Sequence, residues 1–111
     1  YNSEADDNAL TYDTGSDLAQ GTGYQRLTTH GTMGTDNDMS GCGYLHLFNP
    51  SSTTFVKHFI ARVIYSGVED YITDTHVGGY FNTTSAVDAF QFKMTGGNID
   101  AGSIFLHGLT T

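Results

Sequence analysis

From residue 43 onward the chain alternates apolar and polar residues with a period of two, the signature of strands that bury one face. In GYLHLFNP, Leu45 and Leu47 fall on one side while Tyr44, His46 and Phe48 fall on the other, and Asn49-Pro50-Ser51-Ser52 supplies a turn that a continuing central strand would not tolerate. The next run, TTFVKHFIARVIYSG, places Phe55, Lys57, Phe59, Ala61, Val63 and Tyr65 on one side and Val56, His58, Ile60, Arg62 and Ile64 on the other. Its β-branched and aromatic content favours a long strand over a helix, and Gly67 is expected to end it. A further strand is expected over residues 70–77, through YITDTHV, before Gly78-Gly79 forces a break. AVDAFQFKM alternates again, with Phe90, Phe92 and Met94 opposed to Val87, Ala89 and Gln91. Residues 95–101, holding Gly96-Gly97-Asn98, form a hairpin-sized loop suited to positive φ, and GSIFLHGL is the last strand. Five or six strands separated by turns, with no clear amphipathic helix, predict an all-β chain built as an antiparallel β-sandwich or jelly roll.

Two strand entries echo one another: CGYLHLF and AGSIFLH share the order small, Gly, any, aliphatic, any, Leu, then an aromatic or His. Equivalent strands have equivalent pleat requirements, so the echo fits shared geometry as well as duplication.

Composition divides the chain. It has 111 residues and a formal charge of −8. Residues 1–38 hold seven acids and the single base Arg26, with three tyrosines and no phenylalanine; residues 39–111 hold five acids, three bases and the other eleven aromatics. The first segment, rich in Asp, Asn, Gly, Ser and Thr, reads as loops around one strand over residues 24–29. Such a stretch either stays loosely ordered or packs on a neighbouring subunit. Twelve acids against four bases argue against a nucleic-acid partner, because phosphate binding needs clustered Lys and Arg. No run approaches the roughly 20 apolar residues of a membrane span, so no membrane partner is expected. The chain begins at Tyr1, which leads us to expect a processed product or a portion of a longer polypeptide.

Candidate chemistry is sparse. Cys42 cannot form an intrachain disulfide, and with nothing adjacent to activate its thiol it is expected to be a small buried residue. His30, His46, His58, His76 and His107 are the plausible ligand set. A tight hairpin centred near residue 52 would set His46 beside Lys57 or His58. Without a His-x-His or Cys-x-x-Cys spacing, ordinary half-buried or surface histidines are expected, with no metal and no cofactor. Asp6-Asp7, Asp36/Asp38 and Glu69-Asp70 are carboxylate pairs of the kind found in solvated loops, and Asp36-Asn37-Asp38 resembles only the start of a Ca²⁺ loop. Asp88 lies inside an apolar alternating run, so its charge must be exposed or paired, with a loop's backbone amides or Arg62 as natural partners. A structural role, with Asp88→Ala lowering stability or assembly, is the expectation.

Residues 85–109, SAVDAFQFKMTGGNIDAGSIFLHGL, resemble the C-terminal signature of a family of bacteriophage virion proteins of the tail-fibre and structural kind, found in marine phages especially. The match runs through Ala86, Val87, Asp88 and Ala89, then Gly97, Asn98 and Ile99, then Gly102, Ile104, Leu106, Gly108 and Leu109. Ser40-Gly41 followed by YLHLFNPSSTT is similar to the family's second block, so the likeness covers residues 34–109. His107 stands where the family has tyrosine, Cys42-Gly43 lengthens the strand entry, and the upstream sandwich strands have no counterpart ahead of Tyr1. The resemblance implies a non-enzymatic β-sandwich module of a virion, in a tail fibre or decorating a capsid surface, that works as a homo-oligomer with other virion proteins. Residues 1–38 are then an acidic arm of an upstream portion and residues 39–111 the sandwich core. Asn49, Pro50, Asp88, Gly97, Asn98 and Gly102 are the expected structural positions. The alternative is a host-glycan or receptor-binding adhesin module, with Tyr65, Tyr71 and Tyr80 as candidate glycan contacts near strand ends.

Overall fold

The computed structural model describes residues 10–28, 31–68 and 70–109. They form an all-β chain whose ordered centre is one three-stranded antiparallel sheet, β1 (Gly41–Leu47), β2 (Lys57–Ser66) and β3 (Ile72–Phe81), in the order β1-β2-β3. A single 3₁₀ turn, Thr14–Ser16, is the only helical element among them, and Asp13 caps it by accepting from the Gly15 amide.

β2 is the central strand, and its parity sets the core. Lys57, Phe59, Ala61 and Tyr65 are buried, as are Thr73 and Thr75 on the matching face of β3. Phe59 and Tyr65 each contribute on the order of 2 kcal/mol by leaving water, so this small set is the main apolar stabilisation of the sheet. The Thr73 and Thr75 hydroxyls are buried without a hydrogen-bond partner among the described residues.

β3 does not break at Gly78-Gly79 as expected but runs through both to Phe81. Gly79 pairs with Phe59, and a Cβ there would come 2.8 Å from the Phe59 ring. The glycine is a place for the ring to lie, flanked by Phe81 with ring centroids 5.3 Å apart, rather than a strand terminator.

The β1–β2 connection is wider than a hairpin centred on residue 52. Asn49 takes φ 51° and its carbonyl accepts from the Ser52 amide, and the Ser52 hydroxyl then accepts from the Thr54 and Phe55 amides. The added bend moves the register, so His46 pairs with Ile60 and not with Lys57 or His58. The β2–β3 connection closes with the Gly67 amide donating to the Tyr71 carbonyl at 2.8 Å. The Tyr71 ring lies across Gly67 and Gly31, where a Cβ would clash. Met33 bridges to Gly67, tying the upstream segment to this end of the sheet.

Beyond Phe81 the expected strands at 86–94 and 102–109 are absent: the described residues 82–109 join no ladder. Residues 24–28 likewise form no strand. The stem of the C-terminal segment is nevertheless anchored. The Lys57 ammonium, with no exposed surface, donates to the carbonyls of Thr83 at 3.1 Å and Ser85 at 2.7 Å, and the Val87 amide donates to the Pro50 carbonyl at 2.9 Å. Alternate residues 83, 85 and 87 thus hold the start of the segment, which bends at residues 84 and 85, against the end of the sheet where β2 begins. Further on, Tyr24 donates to Gln91, and Lys93 sits 4.0 Å from the centroid of the Tyr24 ring.

Candidate functional site

The second face of the sheet lies open. Alternation puts Cys42, Tyr44 and His46 of β1 on it, with His58, Ile60, Arg62 and Ile64 of β2 and Ile72, Asp74, His76 and Tyr80 of β3. Tyr44, Arg62 and His76 form one cross-strand row, since Arg62 pairs with both neighbours. His58 pairs with Tyr80, their rings 5.9 Å apart, and the Tyr44 and His46 rings are 5.0 Å apart along β1.

The centre of this face is a bidentate ion pair. Arg62 Nε donates to Asp74 Oδ1 at 2.9 Å and Arg62 Nη2 to Oδ2 at 2.6 Å, reaching diagonally across the β2–β3 pair. The guanidinium holds the Asp74 carboxyl below the usual carboxylate range, chiefly by this hydrogen bond, with His76 at 3.5 Å adding to it. Asp74 in turn raises Arg62, with Tyr44 a smaller contributor. Because Asp74 satisfies the fork of donors, Arg62 is a positioned cation rather than an open anion site. Beside it Cys42, Gly43, Tyr44, Arg62 and Ile64 line a shallow concavity. Such a face offers rings that can stack and, at its imidazoles and neutralised ion pair, groups that can hydrogen-bond.

The candidate glycan contacts separate on this geometry. Tyr80 is 57% exposed on the open face, whereas Tyr65 and Tyr71 are 1% and 7% exposed, too buried for a sugar ring to stack on them. Tyr65 shares the inward parity of Phe59 and Ala61, and Tyr71 is drawn over two glycines that leave room for its ring. Tyr44, 51% exposed on the same face as Tyr80, was not among the expected contacts; the β1 alternation already separated it from Leu45 and Leu47.

The expected structural positions scatter. Asn49 and Pro50 form the β1–β2 turn, and Pro50 receives Val87. Gly97 and Gly102 take φ of 72° and 139°, a region L side chains rarely adopt, and Asn98 is exposed between them. Asp88 is exposed on a stretch without regular secondary structure, not set in an apolar strand, and its suggested partner Arg62 is held by Asp74. Cys42 is exposed on the open face, contrary to the expectation of burial, because the inward parity of β1 belongs to Leu45 and Leu47.

Of the histidines, His46, His58 and His76 share the open face and His107 lies on the C-terminal segment; His30, Asp6, Asp7 and Glu69 lie outside the described residues. Among the described residues no three His, Cys, Asp or Glu side chains converge as a metal site would require, and no helix is long and apolar enough to cross a membrane. Comparison with protein families, with curated proteins and with solved structures finds no match to this chain.

Proposed function

We propose that the chain is a non-enzymatic structural module of a virion, of the tail-fibre or capsid-decoration type, working through oligomeric assembly with its own copies and with other virion proteins. One observation carries this reading: a small core stands beside a long run of apolar side chains left in solvent. Phe90, Phe92, Ile99, Ile104, Phe105, Leu106 and Leu109 are 43 to 93% exposed. Exposed apolar side chains in this number are what a surface of association presents. In this reading the sheet belongs to a β-sandwich or jelly roll that is completed on assembly, when residues 85–94 and 102–109 take up strand pairing. The likeness of residues 34–109 to phage virion proteins supplies the virion setting. Light scattering of the purified chain over a wide concentration range is the test. A defined oligomer is expected, and a cooperatively folded monomer at every concentration overturns the reading.

The exposed rings of Tyr44 and Tyr80 favour a second reading, recognition of a host-surface glycan, since flat aromatic faces stack on sugar rings. Binding on a glycan array that is lost in Tyr80→Ala selects this adhesin role. No binding to any glycan by the assembled chain removes it.

A further inference from the structure

Residues 102–109 have the pattern of a strand and no sheet. Ile104 and Leu106 alternate with Phe105 and His107, whose rings stack with centroids 6.5 Å apart. β1 has the same design: Leu45 and Leu47 alternate with Tyr44 and His46, whose rings also meet. β1 is paired along its length with β2, whereas the described residues offer residues 102–109 no backbone partner at all. The sheet carries the converse deficit, because the described residues pair β1 and β3 only with β2 and leave both outer edges free. An unpaired edge is a template for another strand.

We propose that residues 102–109 of one copy add as a strand to the free edge of β3 in a second copy, which donates its own segment in return. The inference rests on the assembly reading above and names its contact. Eight extended residues span about 26 Å, within the reach of the ten-residue β3 and longer than β1 can pair.

Area decides for a second copy over an unrelated partner. Ile104, Phe105, Leu106 and Leu109 are exposed by 69, 77, 90 and 93%. At roughly 100–200 Å² per such side chain they present about 500 Å². One segment docked on a foreign partner removes about 1,000 Å² in all, below the usual range of specific interfaces, whereas reciprocal exchange removes about 2,000 Å², inside it. Ile104 and Phe105 alternate along the segment, so a strand added at this edge sets one beside the buried face of the sheet and the other beside the side chains of its open face.

The test uses the full chain. Hydrogen exchange on the assembled protein should show slow amides within residues 103–108 and at those β3 amides that face away from β2, with that protection lost on dilution to the monomer, and Leu106→Asp should shift the chain to monomer in light scattering. An oligomer whose residues 103–108 exchange as free amides overturns the proposal while leaving assembly intact. Protection that persists unchanged in the monomer overturns it in favour of pairing within one chain. A wild-type chain that never associates overturns both this proposal and the assembly reading. If Leu106→Asp does not fold, the exchange pattern of the wild type decides alone.

Discussion

Gly78 and Gly79 are adjacent in β3, yet alanine at each should change stability in opposite directions. Replacing a strand glycine by alanine restricts the unfolded chain and stabilises the folded one by about 0.5–1 kcal/mol where the backbone allows it. Neither glycine has a positive φ, so that gain is open to both. At Gly78 a Cβ meets nothing within 4 Å, and the gain should stand. At Gly79 the Cβ falls 2.8 and 2.9 Å from two atoms of the Phe59 ring, which is itself buried and packed at a tilt against Phe81. Displacing a packed ring costs about 1–3 kcal/mol, so the net effect at Gly79 is a loss of roughly 0.5–2 kcal/mol. Urea unfolding of the two variants, with the m-value held to that of the wild type, measures both signs. If Gly79→Ala is as stable as the wild type, the account of Phe59 lying over a bare backbone is wrong.

Four further expectations follow from the same geometry. Lys57→Met keeps the stem's bulk but leaves the Thr83 and Ser85 carbonyls without their donor; a loss of about 2 kcal/mol in urea is expected, with faster exchange at residues 83–87. Thr75→Val replaces a buried hydroxyl that has no partner among the described residues by an apolar isostere and should raise the melting temperature, by about 1 kcal/mol in stability. Asp74 has a folded-state pKa below its ordinary 3.8, so its contribution is present above that pH and lost as pH falls through the depressed value. Denaturation of wild type and Asp74→Asn should accordingly differ at neutral pH and converge in acid. Exposed Asp88 predicts that Asp88→Ala stays within about 0.5 kcal/mol of wild type in the unassembled chain, against the sequence-based expectation of a structural carboxylate.

The sheet was legible because period-two alternation is a property of one strand at a time. It assigned Lys57, Phe59, Ala61 and Tyr65 to one face of β2 before any partner was known, and those four are the buried ones. What alternation does not carry is register. The extra bend after Ser52 moved His46 from His58 to Ile60, and no single-strand pattern could anticipate it. Diagonal contacts fail for the same reason, which is why the Arg62–Asp74 pair went unseen and Asp88 was matched to Arg62 instead. Gly78-Gly79 misled because glycine is read as a break when its use lies across the strand, under Phe59. Residues 86–94 and 102–109 have strand patterning, but a pattern declares that a segment can pair, not that the chain supplies it a partner.

In the assembly proposed above, the grip of Lys57 on the Thr83 and Ser85 carbonyls would bear on how fast and how tightly two copies meet. A free tail of more than twenty residues samples a wide volume, and each encounter must recover that lost freedom before a contact holds. Here the tail leaves the sheet in a direction set by a buried ammonium and by Val87 on Pro50, so its base is already stationary. Loosening that base, without touching any residue at the far end, should slow encounter and weaken association while leaving the contacting side chains unchanged.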